Sequence, residues 1–173
     1  MPIIKSIKGV SPKIADDVFL AENCTIIGDV EIGQGSSVWY NAVIRGDVNF
    51  IRIGERVNIQ DNVVIHCTYQ KYPTIIKNRV SIGHSAIIHA CTINEDVLIG
   101  MGAIVMDNAQ IGSNTVIAAG SVVVPNTIVE PNSVYAGIPA KKIKDINKKL
   151  SESIKSTTEH YKLYASWYDD KKI

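Results

Sequence analysis

The sequence predicts an all-β solenoid: a parallel β-helix of about six to seven triangular coils, followed by one C-terminal α-helix. Two observations carry the solenoid. Aliphatic residues recur every six positions, and a small or β-branched residue stands four positions after almost all of them. A third observation places the helix: past residue 140 the apolar spacing changes from six to three or four.

The six-residue period runs Ile14, Leu20, Ile26, Ile32, Val38, Ile44, then Ile53, Ile59, Ile65, then Ile76, Ile82, Ile88. It resumes as Ile93, Ile99, Val105, Ile111, Ile117, Val123, Val129 and Tyr135, so nineteen of twenty positions are aliphatic. The position four later reads Val18, Cys24, Val30, Ser36, Ala42, Val48 early and Val97, Ala103, Ala109, Thr115, Ser121, Thr127, Ser133 late. An amphipathic helix repeats every 3.6 residues and a simple strand every two, so neither yields a strict six. Short strands that each point one aliphatic side chain inward, turn at a small residue and close a triangle every 18 residues do yield it. The β-helix is therefore expected over residues 1–140. The segment 141–173 is expected to be a helix on the coil stack, its stripe formed by Ile143, Ile146, Leu150, Ile154, Thr157, Tyr161, Tyr164 and Tyr168.

At 173 residues and a net charge of +1, with 46% hydrophobic residues, the chain can bury one core. Neither disorder nor nucleic-acid binding is expected of such a composition. No apolar run approaches the ~18 residues of a membrane span, and "MPIIKSIKGV" is not a secretory signal, so a cytoplasmic, non-membrane protein is expected. Cys24, Cys67 and Cys91 are odd in number and form no C-x-x-C, which predicts free thiols. Lys141, Lys142, Lys144, Lys148, Lys149 and Lys155 alternate with Asp145, Glu152 and Glu159 and read as a solvated face.

The six-residue period slips three times. Three residues are added between Ile44 and Ile53, five between Ile65 and Ile76, and one is missing between Ile88 and Ile93. Insertions in solenoids are expected as loops on one edge, commonly the functional one. Let the faces be A, B and C, with Ile53 and Ile76 on A, Ile59 and Ile82 on B, and Ile44, Ile65 and Ile88 on C. Arg45, His66 and His89 then each follow an inward aliphatic by one residue, outward in one column on coils about 4.8 Å apart. Asp61 and His84 share a position after face B, with Gln60 beside Asp61. His84 must lie at a corner, since strict alternation would turn it inward.

His66 and His89 are thus placed to bind one ion from adjacent rungs, with His84 on another face. A neighbouring subunit is the expected source of the third imidazole, and a ring of three triangular prisms is the simplest closed assembly. Three neutral imidazoles leave a tetrahedral Zn2+ one open position, the catalytic pattern; Fe2+ and Co2+ suit the same donors. His160, on the expected helix, reads as an ordinary surface residue.

Three segments carry a resemblance: "VIRGDVNFIRIGERVNIQDNVVIH" (43–66), "IGHSAIIHACTI" (82–93) and "LIGMGAIVMDNAQIG" (98–112). In the combination of R-G-D, Q-D five residues before a histidine, and G-H-x4-H, the chain resembles the γ-class carbonic anhydrases of the hexapeptide-repeat, left-handed β-helix superfamily. The resemblance implies a homotrimer with His66, His84 and His89 as metal ligands shared across its seams. It implies reversible hydration of carbon dioxide to bicarbonate by a carbonic anhydrase-type lyase. Arg45 and Asp47 become seam or substrate-side residues, Gln60 a group orienting metal-bound water, and Asp61 a partner of arginine.

The chain departs from that family in one respect. Efficient members carry a glutamate directly after the R-G-D aspartate and an acidic loop as proton shuttle, whereas this chain has Val48 there and a loop "CTYQKYPT" without a carboxylate. Tyr161 and Tyr164 on the expected helix are the candidates to replace it, Tyr164 reading rather as a helix-packing residue. The same coils also serve hexapeptide acyltransferases and coenzyme A thioester hydrolases, and a metal-stabilised, non-catalytic trimeric scaffold is a further alternative.

Overall fold

A computed structural model describes residues 1–168 of the chain. Two-to-four-residue strands dominate, wound into parallel coils with seven rungs on face B. Pairing is register-true. On face C, Ile44 pairs with Ile65 and Ile65 with Ile88; on A, Ile53 pairs with Ile76; on B, Ile59 pairs with Ile82 and Ile82 with Ile99. The inward aliphatics stack into one core, where Ile44, Ile59, Ile65, Ile82 and Ile88 have no exposed surface. Such burial stabilises the stack by about 1.5–3 kcal/mol per aliphatic side chain.

Corners need a left-handed residue, and the sequence supplies it mostly as asparagine or glycine: Asn62, Asn108, Asn114, Asn126 and Gly102 all have positive φ. Asparagine tolerates that region because its short amide hydrogen-bonds locally. Serine takes the place after His84, with Ser85 at φ 60, and alanine the place after His89, with Ala90 at φ 52.

The slips resolve in three ways. The five-residue insertion is a loop, 67–73, closed by Thr68 N–H donating to the Tyr72 carbonyl at 3.0 Å. The missing residue makes a tight corner at Ala90. The three extra residues form no loop, contrary to expectation. Val43–Ile53 is a single eleven-residue strand that runs around the corner beside Thr25–Ile32, and the extra residues are absorbed where the register shifts past Gly28.

Outer surfaces of the three faces differ. Face B carries Leu98, Val116 and Val134, which are covered by the helix α1 (Lys148–Ser166) through Ile154 and Leu150. Face A shows Glu31, Arg52, Thr92 and Gln110 along with Ile75. Face C presents an unbroken aliphatic ladder: Val43, Val64, Ile87, Ile104, Val122. Val64 and Ile87 are each 39% exposed.

The helix starts later than its spacing suggests. Lys141–Asp145 is a strand returning antiparallel to Ser133–Ala136, which leaves Ile143 exposed. This strand closes the last rung, whose backbone groups would otherwise be an unpaired edge. Asn147 caps the helix, its side-chain oxygen accepting from Leu150 N–H at 2.9 Å. Thr158, rather than Thr157, joins Ile154 as the fully buried position. Residues 169–173 of the expected helical segment lie outside the described residues. Among the described residues no helix is long and apolar enough to cross a membrane.

Candidate metal centre

Parallel pairing places His89 directly on His66, one rung apart. His66 Nδ1 and His89 Nε2 face each other at 3.3 Å. The other nitrogen of each ring meets a carboxylate: His66 Nε2 lies 3.1 Å from Asp47 Oδ1, and His89 Nδ1 lies 2.7 Å from Asp107 Oδ1. Asp47 also accepts from Arg45 Nη1 at 2.6 Å, so the R-G-D segment forms an ion pair that reaches up to His66. Gly46 permits this geometry, because a Cβ there would stand 2.5 Å from the Asp29 carbonyl oxygen.

Electrostatics favour ionised carboxylates at Asp47 and Asp107 and a neutral imidazole at His66. Burial pushes the Asp47 carboxyl up, but hydrogen bonds from Arg45 and His66 outweigh it and hold Asp47 below the usual carboxylate range. Asp107 is held low in the same way, burial being outweighed by hydrogen bonds from Thr68 and His89. His66 is pushed down by burial and by the nearby Arg45 charge, with Asp47 offsetting part of the shift.

His84 occupies the corner between faces B and C, as alternation requires. Its Nδ1 lies 2.9 Å from Asp61 Oδ2, and its Nε2 lies 3.4 Å from the Tyr161 hydroxyl on α1. Within one protomer the partner of Asp61 is therefore His84. Gln60 is buried; its Nε2 donates to Asn58 Oδ1 at 3.0 Å and its Oε1 accepts from His84 N–H at 3.2 Å. Within this protomer Gln60 is thus a brace for the His84 corner. Burial, with the Asp61 charge, pushes the Tyr161 phenol up to about 12. Tyr164 packs edge-on against Tyr161, and His160 stacks on Tyr164 at the exposed face of the helix.

The structure thus brings Arg45, Asp47, His66 and His89 together, and separately Gln60, Asp61, His84 and Tyr161. Face C lies between the two groups. Among the described residues no group of three or more His, Cys, Asp or Glu side chains has the spacing to hold an ion within one chain. Asp107 is the contact the sequence reading lacks. It follows His89 by 18 residues, one coil's length, and that interval was the available signal.

Similarity to known proteins agrees with these coils. Residues 11–46 and 90–125 match the family model described as bacterial transferase hexapeptide (six repeats). A carbonic anhydrase of Geobacillus kaustophilus is 51% identical over 139 residues, covering 80% of this chain and 76% of that protein. The mitochondrial γ carbonic anhydrase 2 of Arabidopsis thaliana is 40% identical over 165 residues and 90% of this chain, which spans 59% of the plant protein's length. An X-ray structure from Bacillus cereus, assigned provisionally as an acetyltransferase, superposes with a TM-score of 0.94 at 40% identity over 96% of both chains.

Proposed function

The chain belongs to the γ-class carbonic anhydrase family of hexapeptide-repeat proteins, and from that premise we propose that it is a homotrimer holding a metal ion at each seam and hydrating carbon dioxide reversibly. The observation that carries the reading is the His66–His89 pair. Each neutral imidazole has one N–H, and each faces a carboxylate with one nitrogen. The two nitrogens that face each other at 3.3 Å are then both lone-pair donors. At that distance the two nitrogens are held together either by a proton on one of them or by a cation between them, and a metal ion satisfies both lone pairs at once. Two ligands about 2.0–2.1 Å from a tetrahedral ion stand about 3.3–3.4 Å apart, so the pair already has the required bite.

His66 and His89 would supply two ligands from one protomer, and His84 the third from its neighbour. The aliphatic ladder of face C, which lies between the two groups, fits the buried seam of such a ring. An ion held there would supply the Lewis acidity that makes hydroxide available near neutral pH. Zinc suits three imidazoles best, with iron or cobalt as alternatives. Arg45 and Asp47 lock the His66 ring, Gln60 braces the backbone at His84, and Asp61 accepts from its Nδ1. That leaves His84 Nε2 as the nitrogen to meet the ion, so the Tyr161 hydroxyl, 3.4 Å from it, would turn aside when the site is filled; with its phenol pushed up to about 12, Tyr161 stays protonated at neutral pH and is no proton carrier.

An acyltransferase built on the same coils needs one basic histidine and a cofactor groove. It has no use for two imidazoles held nitrogen to nitrogen at 3.3 Å with a carboxylate behind each. The test is to purify the protein with its metal retained, measure metal per chain, and follow carbon dioxide hydration by stopped flow beside His89→Ala. Absence of metal would sink the site. Bound metal without hydration would favour the scaffold, and acetyl transfer from acetyl-coenzyme A would favour the transferase.

A further inference from the structure

The three ligands leave one buried-edge contact unused: Asp107, whose two carboxylate oxygens hold two different parts of the molecule. Oδ1 faces His89 Nδ1 at 2.7 Å, and Oδ2 accepts a hydrogen bond from the Thr68 hydroxyl. We propose that Asp107 is a positioning residue which imposes the Nδ1–H tautomer on His89, and that Thr68 fixes Asp107 by tying it to the root of the 67–73 loop.

The two rings of the pair make unlike demands. His66 turns Nε2 to the Asp47 carboxylate, which calls for an Nε2–H donor and leaves Nδ1 free, and Nε2–H is the tautomer an unconstrained imidazole already favours. His89 must do the reverse. Its Nε2 is the nitrogen turned toward His66, so its proton has to sit on Nδ1, the disfavoured position. The partner hydrogen bond decides which nitrogen carries the proton, and among the described residues Asp107 is the one placed to make it for His89. Asp47, below the pair, assists a preference that exists without it. Asp107, above the pair, reverses one.

Thr68 gives the carboxylate its fixed orientation. Its backbone N–H donates to the Tyr72 carbonyl at 3.0 Å, and its carbonyl accepts from Lys71 N–H at 3.2 Å and from Asn49 Nδ2 at 3.2 Å. The residue is thus held on three sides before its hydroxyl reaches Asp107. The insertion that breaks the six-residue period after His66 therefore serves the neighbouring ligand, His89.

The inference rests on the metal reading for its consequence and on the hydrogen bonds for its substance, so the test reads the two apart. Long-range imidazole 1H–15N correlation on metal-free wild-type protein, at mildly alkaline pH, should show His89 as Nδ1–H and His66 as Nε2–H. Asp107→Ala should return His89 to Nε2–H, leave His66 unchanged, and weaken zinc binding by about 10–100-fold in competition with a chelating indicator. Asp107→Asn, whose amide oxygen still accepts, should keep the tautomer and restore most of the affinity. Thr68→Val should keep the tautomer and weaken zinc by less than about tenfold. An Nε2–H tautomer at His89 in the wild type, or an unchanged tautomer in Asp107→Ala, would overturn the inference. The wild-type spectrum decides even if that variant fails to fold. Were zinc not to bind at all, the tautomer result would still stand or fall by itself.

Discussion

His66 Nδ1 and His89 Nε2 stand 3.3 Å apart, each ring anchored at its far nitrogen by a carboxylate from a different rung. Such a pair is organised before any ion arrives. Loss of either ring leaves a single imidazole from this protomer, so His89→Ala is expected to lower zinc affinity by more than about 100-fold, a larger loss than the removal of an outer-shell partner. Equilibrium dialysis with metal quantification checks it, and retention of one zinc per seam in the variant would refute the pair as ligands.

Metal removal should also destabilise the assembled protein. Anything that binds only the folded state adds about 2.7 kcal/mol when present at 100 times its Kd. Dialysis against a chelator should therefore lower the urea midpoint, and excess zinc should restore it in wild type but not in His89→Ala. A midpoint indifferent to zinc would argue against a site in the native state.

The pairing of face C makes a second claim testable. Val64 and Ile87 are outward neighbours on adjacent rungs, and among the described residues nothing covers them as α1 covers face B. The double substitution Val64→Asp, Ile87→Asp puts two desolvated charges into the proposed seam without touching the inward stack. Light scattering should fall from three chains to one, with the far-ultraviolet spectrum unchanged. Persistence of the trimer would place its seam elsewhere.

Much of this arrangement is legible in the sequence because a parallel coil converts spacing into contact. His66 and His89 are 23 residues apart, one coil plus the five-residue insertion, and they pair as that sum requires. Asp61 and His84 are separated by the same interval and meet, Nδ1 to Oδ2, across one rung. The period does not carry corner chemistry. Asp107 lies in a turn, where aspartate is ordinary and reads as solvated. The Lys141–Asp145 strand is equally hidden, since what selects it is the unpaired edge of the last rung and not its own composition.

The cysteines give a pH-dependent outcome away from the metal. Burial pushes the Cys24 and Cys67 thiols from 9.0 up to about 11, and Cys91 further up. The folded chain keeps these protons at pH values where the unfolded chain loses them. Stability contributed by the thiols is therefore complete below about pH 9 and declines as the pH rises toward about 11. At most 2% of each cysteine is exposed, so a thiol reagent at mildly alkaline pH should modify none in native protein and all three after denaturation. Rapid native labelling would contradict this burial.

Two glycines beside the His84 corner separate steric fit from backbone freedom. A Cβ on Gly83 would stand 2.7 Å from Met101 N, 2.9 Å from Gly100 C and 2.9 Å from the Ile99 carbonyl oxygen, all backbone of the next rung. Backbone cannot swing aside as a flexible side chain does, so Gly83→Ala must push the His84 corner away from its neighbour. Gly102 instead has φ +65 with nothing within 4 Å of an added Cβ, so Gly102→Ala costs only the left-handed strain of an alanine, about 1–2 kcal/mol. Gly83→Ala is expected to lose more stability than Gly102→Ala and to weaken zinc binding as well, because it displaces a ligand. Gly102→Ala should lower the urea midpoint while leaving zinc affinity within about threefold of wild type. Equal zinc affinities in the two variants would mean that the position of His84 does not matter to the site, and would remove it from the ligand set.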